Sequence, residues 1–356
     1  MSAGAELERT LSERELNRAL LARQNLLERA TTSVPKAIER VGSLQTQYAP
    51  AGYVALRTRL EGFRRDDLTR ALERRSVVQA WMMRSTIHMA SKRDFWLFTA
   101  AIREQRRRWW LRSFKGSASD VVTAAKKTEH LLADGPKRRA EIVKTLGLDN
   151  PIWYGVNLWL DLVRVPPYGT WEQPRADLFG LASDWLGEPP AITEAEGIEH
   201  LVKRYLAAFG PASAGDVASF TGLTAGVLAP VLGRIMLRRF LDERGKQLLD
   251  LTRAPLPDGE TPAPVRLLPV WDATLLVQAR RTQILPERYR PRIFNTKSPH
   301  SFHTVLVNGQ VAGIWRHDDE KDRIVVEPFE RLSKETRRAL DEEGEHMREL
   351  FASPVP

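Results

Sequence analysis

Gly210-Pro-Ala-Ser-Ala-Gly-Asp-Val-Ala-Ser-Phe-Thr-Gly-Leu223 decides the reading of the fold, because an earlier stretch has the same grammar. Gly135-Pro-Lys-Arg-Arg-Ala-Glu-Ile-Val-Lys-Thr-Leu-Gly-Leu148 shares Gly-Pro, four residues, an acid, two small or apolar residues and a closing Gly-Leu. A short helix stopped by glycine and turned into another helix is helix-turn-helix grammar. Each copy is followed by a longer helical stretch, Pro151–Arg164 in one and Ala225–Ile235 in the other. Leu237–Asp242 and Gln247–Leu251, around the turn Glu243-Arg-Gly-Lys246, then read as a two-stranded wing.

Working outward, the N-terminal part has the same order of signals. Leu11-Ser12-Glu13-Arg14-Glu15-Leu16 is a capping box, with Ser12 as cap and Glu15 at the third helical position, and predicts a helix to about Ala30. Ser33 and Pro35 open a second helix ending near Gly42, and Val54–Leu60 is a third. Asp66 caps a fourth, running to about Arg75. Val77–Met83 and Thr86–Met89 read as strands joined at Arg84-Ser85. Ser91-Lys-Arg-Asp94 is a second box, opening a helix to about Phe114 with Phe95, Phe98, Ile102 and Trp109 as its apolar stripe. The fold class expected is therefore α+β, three tandem winged-helix units followed by a β-rich C-terminal region. The boundaries fall at residues 1–115, 116–190, 191–255 and 256–356. Thr252–Pro264, with four prolines, is the linker. Val265–Val277 and Thr304–Glu327 are the strand-rich segments, with a strong hairpin signal at Asn308-Gly309, and Ser333–Phe351 is the closing helix.

The chemistry points to Val41-Gly-Ser-Leu-Gln-Thr-Gln-Tyr48. On a helix, Gln45 and Gln47 would point about 200° apart, whereas extended backbone projects both to one side. Neutral amides cannot act as strong bases. They can hold a water molecule or turn carbonyl dipoles toward a positive charge. Elsewhere His300 and His303 lie in polar loop sequence and read as a chance pair rather than metal ligands. His88 and Thr86 in the first wing, and Asp272 at a strand edge, are candidates for support of a site, against the plainer readings of a histidine that braces the wing and a structural hydrogen bond at the strand edge.

Composition narrows the classes. The 356 residues allow two or three domains with sizeable cores. Zero cysteines exclude disulfides, thiolate zinc sites and a cysteine-ligated iron–sulfur cluster. The polar N-terminus has no signal-peptide pattern and no run is long enough to span a membrane, so the expected setting is cytoplasmic. The net charge of +9 favours a polyanionic partner. Ser91–Lys115 holds eight basic residues (among them Arg106, Arg107, Arg108 and Arg112) against two acidic ones, a net +6. That helix and the wing residue Arg84 are the expected contacts to phosphate, and the Asn308-Gly309 tip is a further candidate for probing a groove.

Leu20-Leu-Ala-Arg-Gln24, the glutamine stretch, Tyr53-Val-Ala-Leu-Arg-Thr-Arg-Leu60 and Met83-Arg-Ser-Thr-Ile-His-Met-Ala90 together resemble one winged-helix family. It contains the AlkZ-type and YcaQ-type DNA glycosylases, and Arg266-Leu-Leu-Pro-Val-Trp-Asp272 and Val305–Trp315 extend the resemblance to the C-terminal part. AlkZ-type members carry Gln-x-Gln and YcaQ-type members Gln-x-Asp, so Gln45-Thr46-Gln47 looks like the AlkZ side, Thr46 replacing the usual apolar residue. The resemblance implies Gln45 and Gln47 as catalytic residues of a glycosylase; no cofactor is expected, and with no catalytic lysine motif evident the enzyme reads as monofunctional. Its substrate would be double-stranded DNA bearing N7-alkylguanine adducts or crosslinks, bound by a monomer. The rival reading is a non-catalytic winged-helix DNA-binding protein or regulator, and a protein–protein scaffold is a third.

Overall fold

The computed structural model describes residues 7–114, 117–276, 282–294 and 302–352. The chain opens with β1 (Leu7–Leu11), α1 (Glu13–Arg23), α2 (Val34–Arg40), β2 (Leu44–Gln45), α3 (Pro50–Arg59), α4 (Arg65–Glu73), β3 (Val77–Trp81) and β4 (Ile87–Ser91). The long α5 (Lys92–Phe114) leads to α6 (Ala118–Leu132), β5 (Lys137–Arg138), α7 (Arg139–Leu146), α8 (Asn150–Trp159), β6 (Leu162–Arg164) and β7 (Leu178–Leu181). After α9 (Ala182–Leu186) come α10 (Glu194–Phe209), α11 (Ala214–Thr221), α12 (Ala225–Arg234), β8 (Leu237–Asp242) and β9 (Gln247–Leu251). The C-terminal part holds β10 (Arg266–Leu268), α13 (Arg290–Ile293), β11 (Thr304–Val307), β12 (Gln310–Asp318), β13 (Arg323–Pro328) and α14 (Lys334–Arg348).

One order recurs three times: helix, short extended segment, two helices, two strands. In each case the short segment pairs antiparallel with the last strand. The pairs are Gln45 with His88, Lys137 with Phe179, and Ala212 with Leu249. The first two units share one sheet of order β2-β4-β3-β6-β7-β5, joined where Gln79 meets Arg164. The third forms β1-β8-β9, with β1 added in parallel, a strand the sequence did not signal. The last sheet, β10-β11-β12-β13, carries α14 against it.

The helix pair α5–α10 makes the central packing. Phe95, Phe98 and Ile102 are buried with Leu201, Val202 and Tyr205. A Cβ on Gly197 would sit 2.6 Å from the Leu97 carbonyl oxygen, so only glycine allows this close approach. The apolar stripe of α5 ends differently from the expectation. Trp109 is 42% exposed, whereas Trp110 is fully buried with Val121 and Leu158 and donates to the Pro151 carbonyl at 2.9 Å. Past Ile102 the helix leaves α10 and meets α6 and α8, so a different face becomes the inner one.

The Ser12–Glu15 capping box forms as expected. The second box is only half made. Ser91 accepts from the Asp94 N–H, but the buried Asp94 carboxylate takes His200 at 2.7 Å and Arg204 at 2.9 Å on α10 instead. Helix α1 stops at Arg23 rather than near Ala30, with Asn25 in the left-handed region (φ 53°). The reason is tertiary. Arg23 is buried against Asp250 at 2.7 Å and also donates to the Leu206 and Pro255 carbonyls, which fixes the chain where it turns. The expected helix Pro151–Arg164 is likewise divided, into α8 and the strand β6. The proline-rich linker lies along α1, where Arg18 donates to the Thr261 carbonyl at 2.6 Å and Arg14 to the Gly259 carbonyl at 3.3 Å. In the strand-rich segment Val265–Val277 only Arg266–Leu268 is a strand, and its last residue lies outside the described residues.

Candidate active site

The glutamine stretch is a short strand, Leu44–Gln45, followed by a bend at Gln47. Gly42 (φ 81°) and Ser43 (φ 114°) turn the chain out of α2, and Leu44–Gln45 then pair with His88–Met89 on β4. Side chains alternate along this backbone. Leu44 and Thr46 face inward and are buried; Thr46 accepts from Gln79 Nε2 at 3.1 Å. Gln45 is half-buried and Gln47 exposed. The ladder continues with a side chain in place of backbone. The Thr46 N–H donates to the Ile87 carbonyl, and the Ile87 N–H donates to Gln47 Oε1, both at 2.8 Å.

Gln45 is held by a different donor, Arg84 Nη2, at 3.0 Å. Arg84 sits at the tip of the β3–β4 hairpin, where Arg84 (φ 52°) and Ser85 (φ 56°) make the two-residue left-handed turn. Its Nη1 donates to the Phe220 carbonyl of α11 at 2.8 Å, and its guanidinium lies 5.3 Å from the Phe220 ring centroid. Each glutamine oxygen therefore has one lone pair committed to a fixed donor and one left over.

His88 is the cross-strand partner of Gln45, on the same face of the sheet, where such Cβ atoms lie about 5 Å apart. It is 1% exposed, and Nδ1 lies 3.0 Å from the Thr86 carbonyl. Burial, followed by the fields of Arg84 and Arg106, lowers its pKa to about 3. The imidazole is thus neutral, and donation from Nδ1 to Thr86 leaves Nε2 as acceptor. The Thr86 hydroxyl donates to the Met83 carbonyl at 3.0 Å and braces the turn.

Three expectations need correction. Asp272 does not join the glutamines. Its carboxylate is buried, accepts two bonds from Arg59 Nη2 at 2.9 Å, and caps Thr274 at 3.0 Å. Arg59 ends α3, and the glutamines precede that helix by a few residues. A ten-residue helix separates its ends by about 14 Å.

The Asn308-Gly309 tip does not project as a probe. It is docked on α1, with Asn17 Nδ2 donating to the Gly309 carbonyl at 2.7 Å and Arg18 Nη2 to Asn308 Oδ1 at 2.6 Å.

The basic helix divides into two sets. Arg106 turns inward and donates to the Trp81 carbonyl at 3.0 Å, and burial lowers its pKa to about 10. Arg107 donates to the Leu158 and Trp159 carbonyls at 3.1 and 3.3 Å. Arg108 and Arg112 are exposed. The four arginines are therefore not one phosphate-binding face. Spacing could not reveal that Arg106 and Arg107 would meet unpaired carbonyls from elements 25 to 52 residues away. The Arg84–Phe220 link, spanning 136 residues, was equally invisible.

His303 packs on Trp315, with ring centroids 4.3 Å apart, while His300 lies outside the described residues. Among the described residues no helix is long and apolar enough to cross a membrane.

The chain covers 98% of its own length and 99% of the other in superposing on the Streptomyces sahachiroi DNA glycosylase AlkZ, with a TM-score of 0.81 at 20% sequence identity. That match carries the mixed α/β fold. A comparison with curated proteins gave no match. The family model for AlkZ-like DNA glycosylases matches residues 38–350, from the helix before the glutamines to the end of the C-terminal helix. The chain belongs to the AlkZ-like DNA glycosylase family and is a DNA N-glycosylase.

Proposed function

We propose that this glycosylase removes cationic alkylated purines, of the N7-alkylguanine type and including crosslinked forms, from duplex DNA by direct attack of water. The observation that carries the reading is the pair Gln45 and Gln47, two neutral amides on the short strand β2 and the bend that follows it, each with its oxygen held by a fixed donor. Water adds to C1′ as the bond from C1′ to the base nitrogen breaks. The bonding electrons pass to the base, which was cationic and departs neutral, and the proton lost by the water goes to solvent. Such a leaving group needs no general acid, so amides suffice. The second lone pair on Gln47 Oε1 accepts from the attacking water and orients it. Gln45 presents its carbonyl dipole to the sugar as positive charge develops there. His88, neutral behind Gln45, adds no second positive charge beside Arg84.

The three repeated units read as tandem winged helices, with boundaries near residues 115, 190 and 255, that hold one duplex as a monomer. Arg84, Arg108 and Arg112 are the phosphate contacts in this reading. A role in DNA repair or self-resistance to a DNA-alkylating toxin follows from the substrate class. The same reading sets the enzyme in the cytoplasm, on DNA.

The test uses a duplex with one N7-methylguanine, in which alkaline cleavage of the abasic site reports excision. Gln45→Ala and Gln47→Ala should each slow single-turnover excision by roughly 10²–10³, the scale of losing one preorganised polar group at a transition state. Gln47→Asp should keep part of the activity, because a carboxylate there can also orient water. Parental rates in both alanine variants would remove the glutamine loop from the chemistry.

A further inference from the structure

We propose that Arg84 is the positioning residue of the site: it aims the Gln45 amide, and that aim depends on the third unit being packed against the first wing. The proposal rests on the glutamine reading above and extends it to a residue from which a phosphate contact alone would be expected.

The guanidinium spans two acceptors from opposite sides of an interface. Nη2 holds Gln45 Oε1 at 3.0 Å, and Nη1 holds the Phe220 carbonyl near the end of α11 at 2.8 Å. The plane of the group is further steadied over the Phe220 ring. Arginine suits this task because its donors form a rigid fork, so fixing one end fixes the direction of the other. The wing supplies the base of the fork. Arg84 and Ser85 both have left-handed φ, and the turn is closed by the Ser85 N–H to the Met82 carbonyl at 3.1 Å and the Thr86 N–H to the Met83 carbonyl at 3.1 Å. A long amide side chain on a half-exposed strand would otherwise sample several rotamers. Arg84 selects one.

A cation beside a developing sugar cation is unfavourable in isolation. Arg84 carries five N–H donors, and the two bonds described leave others for a DNA phosphate. A phosphate next to the damaged nucleotide would neutralise the guanidinium as the substrate seats. The charge penalty is then removed only when DNA is in place, while the fork still directs Gln45.

The experiment is single-turnover excision from the N7-methylguanine duplex with enzyme in excess. Duplex affinity is measured in parallel, and circular dichroism melts check folding. Arg84→Ala should lower the maximal rate by ~100-fold, as misplacing a reacting contact does, with a much smaller effect on affinity. Arg84→Lys keeps a charge for phosphate, but one ammonium cannot span both acceptors. It should bind DNA nearly as well as the parent and still lose most of the rate. In a Gln45→Ala background, Arg84→Ala should add little, because it acts through that amide.

The inference is overturned if Arg84→Lys retains the parental rate, if the two alanine changes are fully additive, or if only affinity changes. In those cases Gln45→Ala alone would still be slow, and the glutamine reading would stand. A parental rate in Gln45→Ala would instead overturn both.

Discussion

Gly309→Ala distinguishes a docked hairpin tip from one that enters a DNA groove. Gly309 has φ +79°, where an L-residue costs about 1–2 kcal/mol. A Cβ there would lie 2.6 Å from Arg18 Nη1 and 2.8 Å from Leu21 Cδ1, and would overlap Asn17 Oδ1. These atoms are side-chain ends on α1, and Asn17 and Arg18 are themselves buried, so the overlap is relieved by displacing them or by lifting the tip, and either movement disturbs the same contacts. Lifting breaks the bonds from Asn17 to the Gly309 carbonyl (2.7 Å) and from Arg18 to Asn308 Oδ1 (2.6 Å), each worth about 1 kcal/mol net. The sum is roughly 3–4 kcal/mol of lost stability. Equilibrium urea unfolding reads this as a lower midpoint. Excision and duplex affinity, measured where both proteins are folded, should stay near parental values. A variant with parental stability but weakened DNA binding would refute the docking argument and restore the tip as a DNA contact.

Arg108→Ala and Arg112→Ala should each flatten the salt dependence of duplex binding, by roughly 0.9 in the log–log slope. Arg107→Ala should leave that slope alone and cost about 1–2 kcal/mol of stability, because it uncaps the Leu158 and Trp159 carbonyls; a flattened slope there would contradict its inward assignment. Burial lowers the His88 pKa to about 3 from an ordinary 6.5, so unfolding takes up a proton below pH 6.5. Its contribution is complete above that pH and lost as pH falls toward 3, on the order of 3 kcal/mol by pH 4. His88→Gln should therefore show a shallower fall in stability between pH 6.5 and 4, and an unchanged slope would show that the imidazole is not buried neutral.

Local signals in this chain were read well where local physics decides them. The Ser12–Glu15 box, the Asn308-Gly309 turn and the short strand at Leu44–Gln45 depend on residues a few positions apart. The repeat Gly135–Leu148 and Gly210–Leu223 led to the recurring order of elements because both copies carry the same stop and turn residues. Misreadings occur where a distant partner takes over a side chain. Asp94 leaves its capping role for His200 and Arg204, Arg106 and Arg107 are drawn inward by carbonyls, and Asp272 is taken by Arg59. A charged residue in sequence looks the same whether it faces solvent or an unpaired carbonyl, and burial alone distinguishes them. The strand β1 was missed for a related reason: its four exposed residues gain an ordered partner only from β8.

The position of the glutamines also explains why sequence could suggest them but not their setting. Gln45 and Gln47 are neighbours in the chain, yet their donors come from two routes. Gln47 uses the β4 backbone, available within the first unit. Gln45 uses Arg84, whose direction is set by Phe220 in the third. The second unit is tied to the first through β3 and β6, and Arg106 holds the Trp81 carbonyl beside the same hairpin. A substitution at any of these seams can move the glutamines without touching them. A glycosylase assembled this way should lose rate on seam mutations that leave each unit folded, which is the behaviour that Arg84→Lys is chosen to expose.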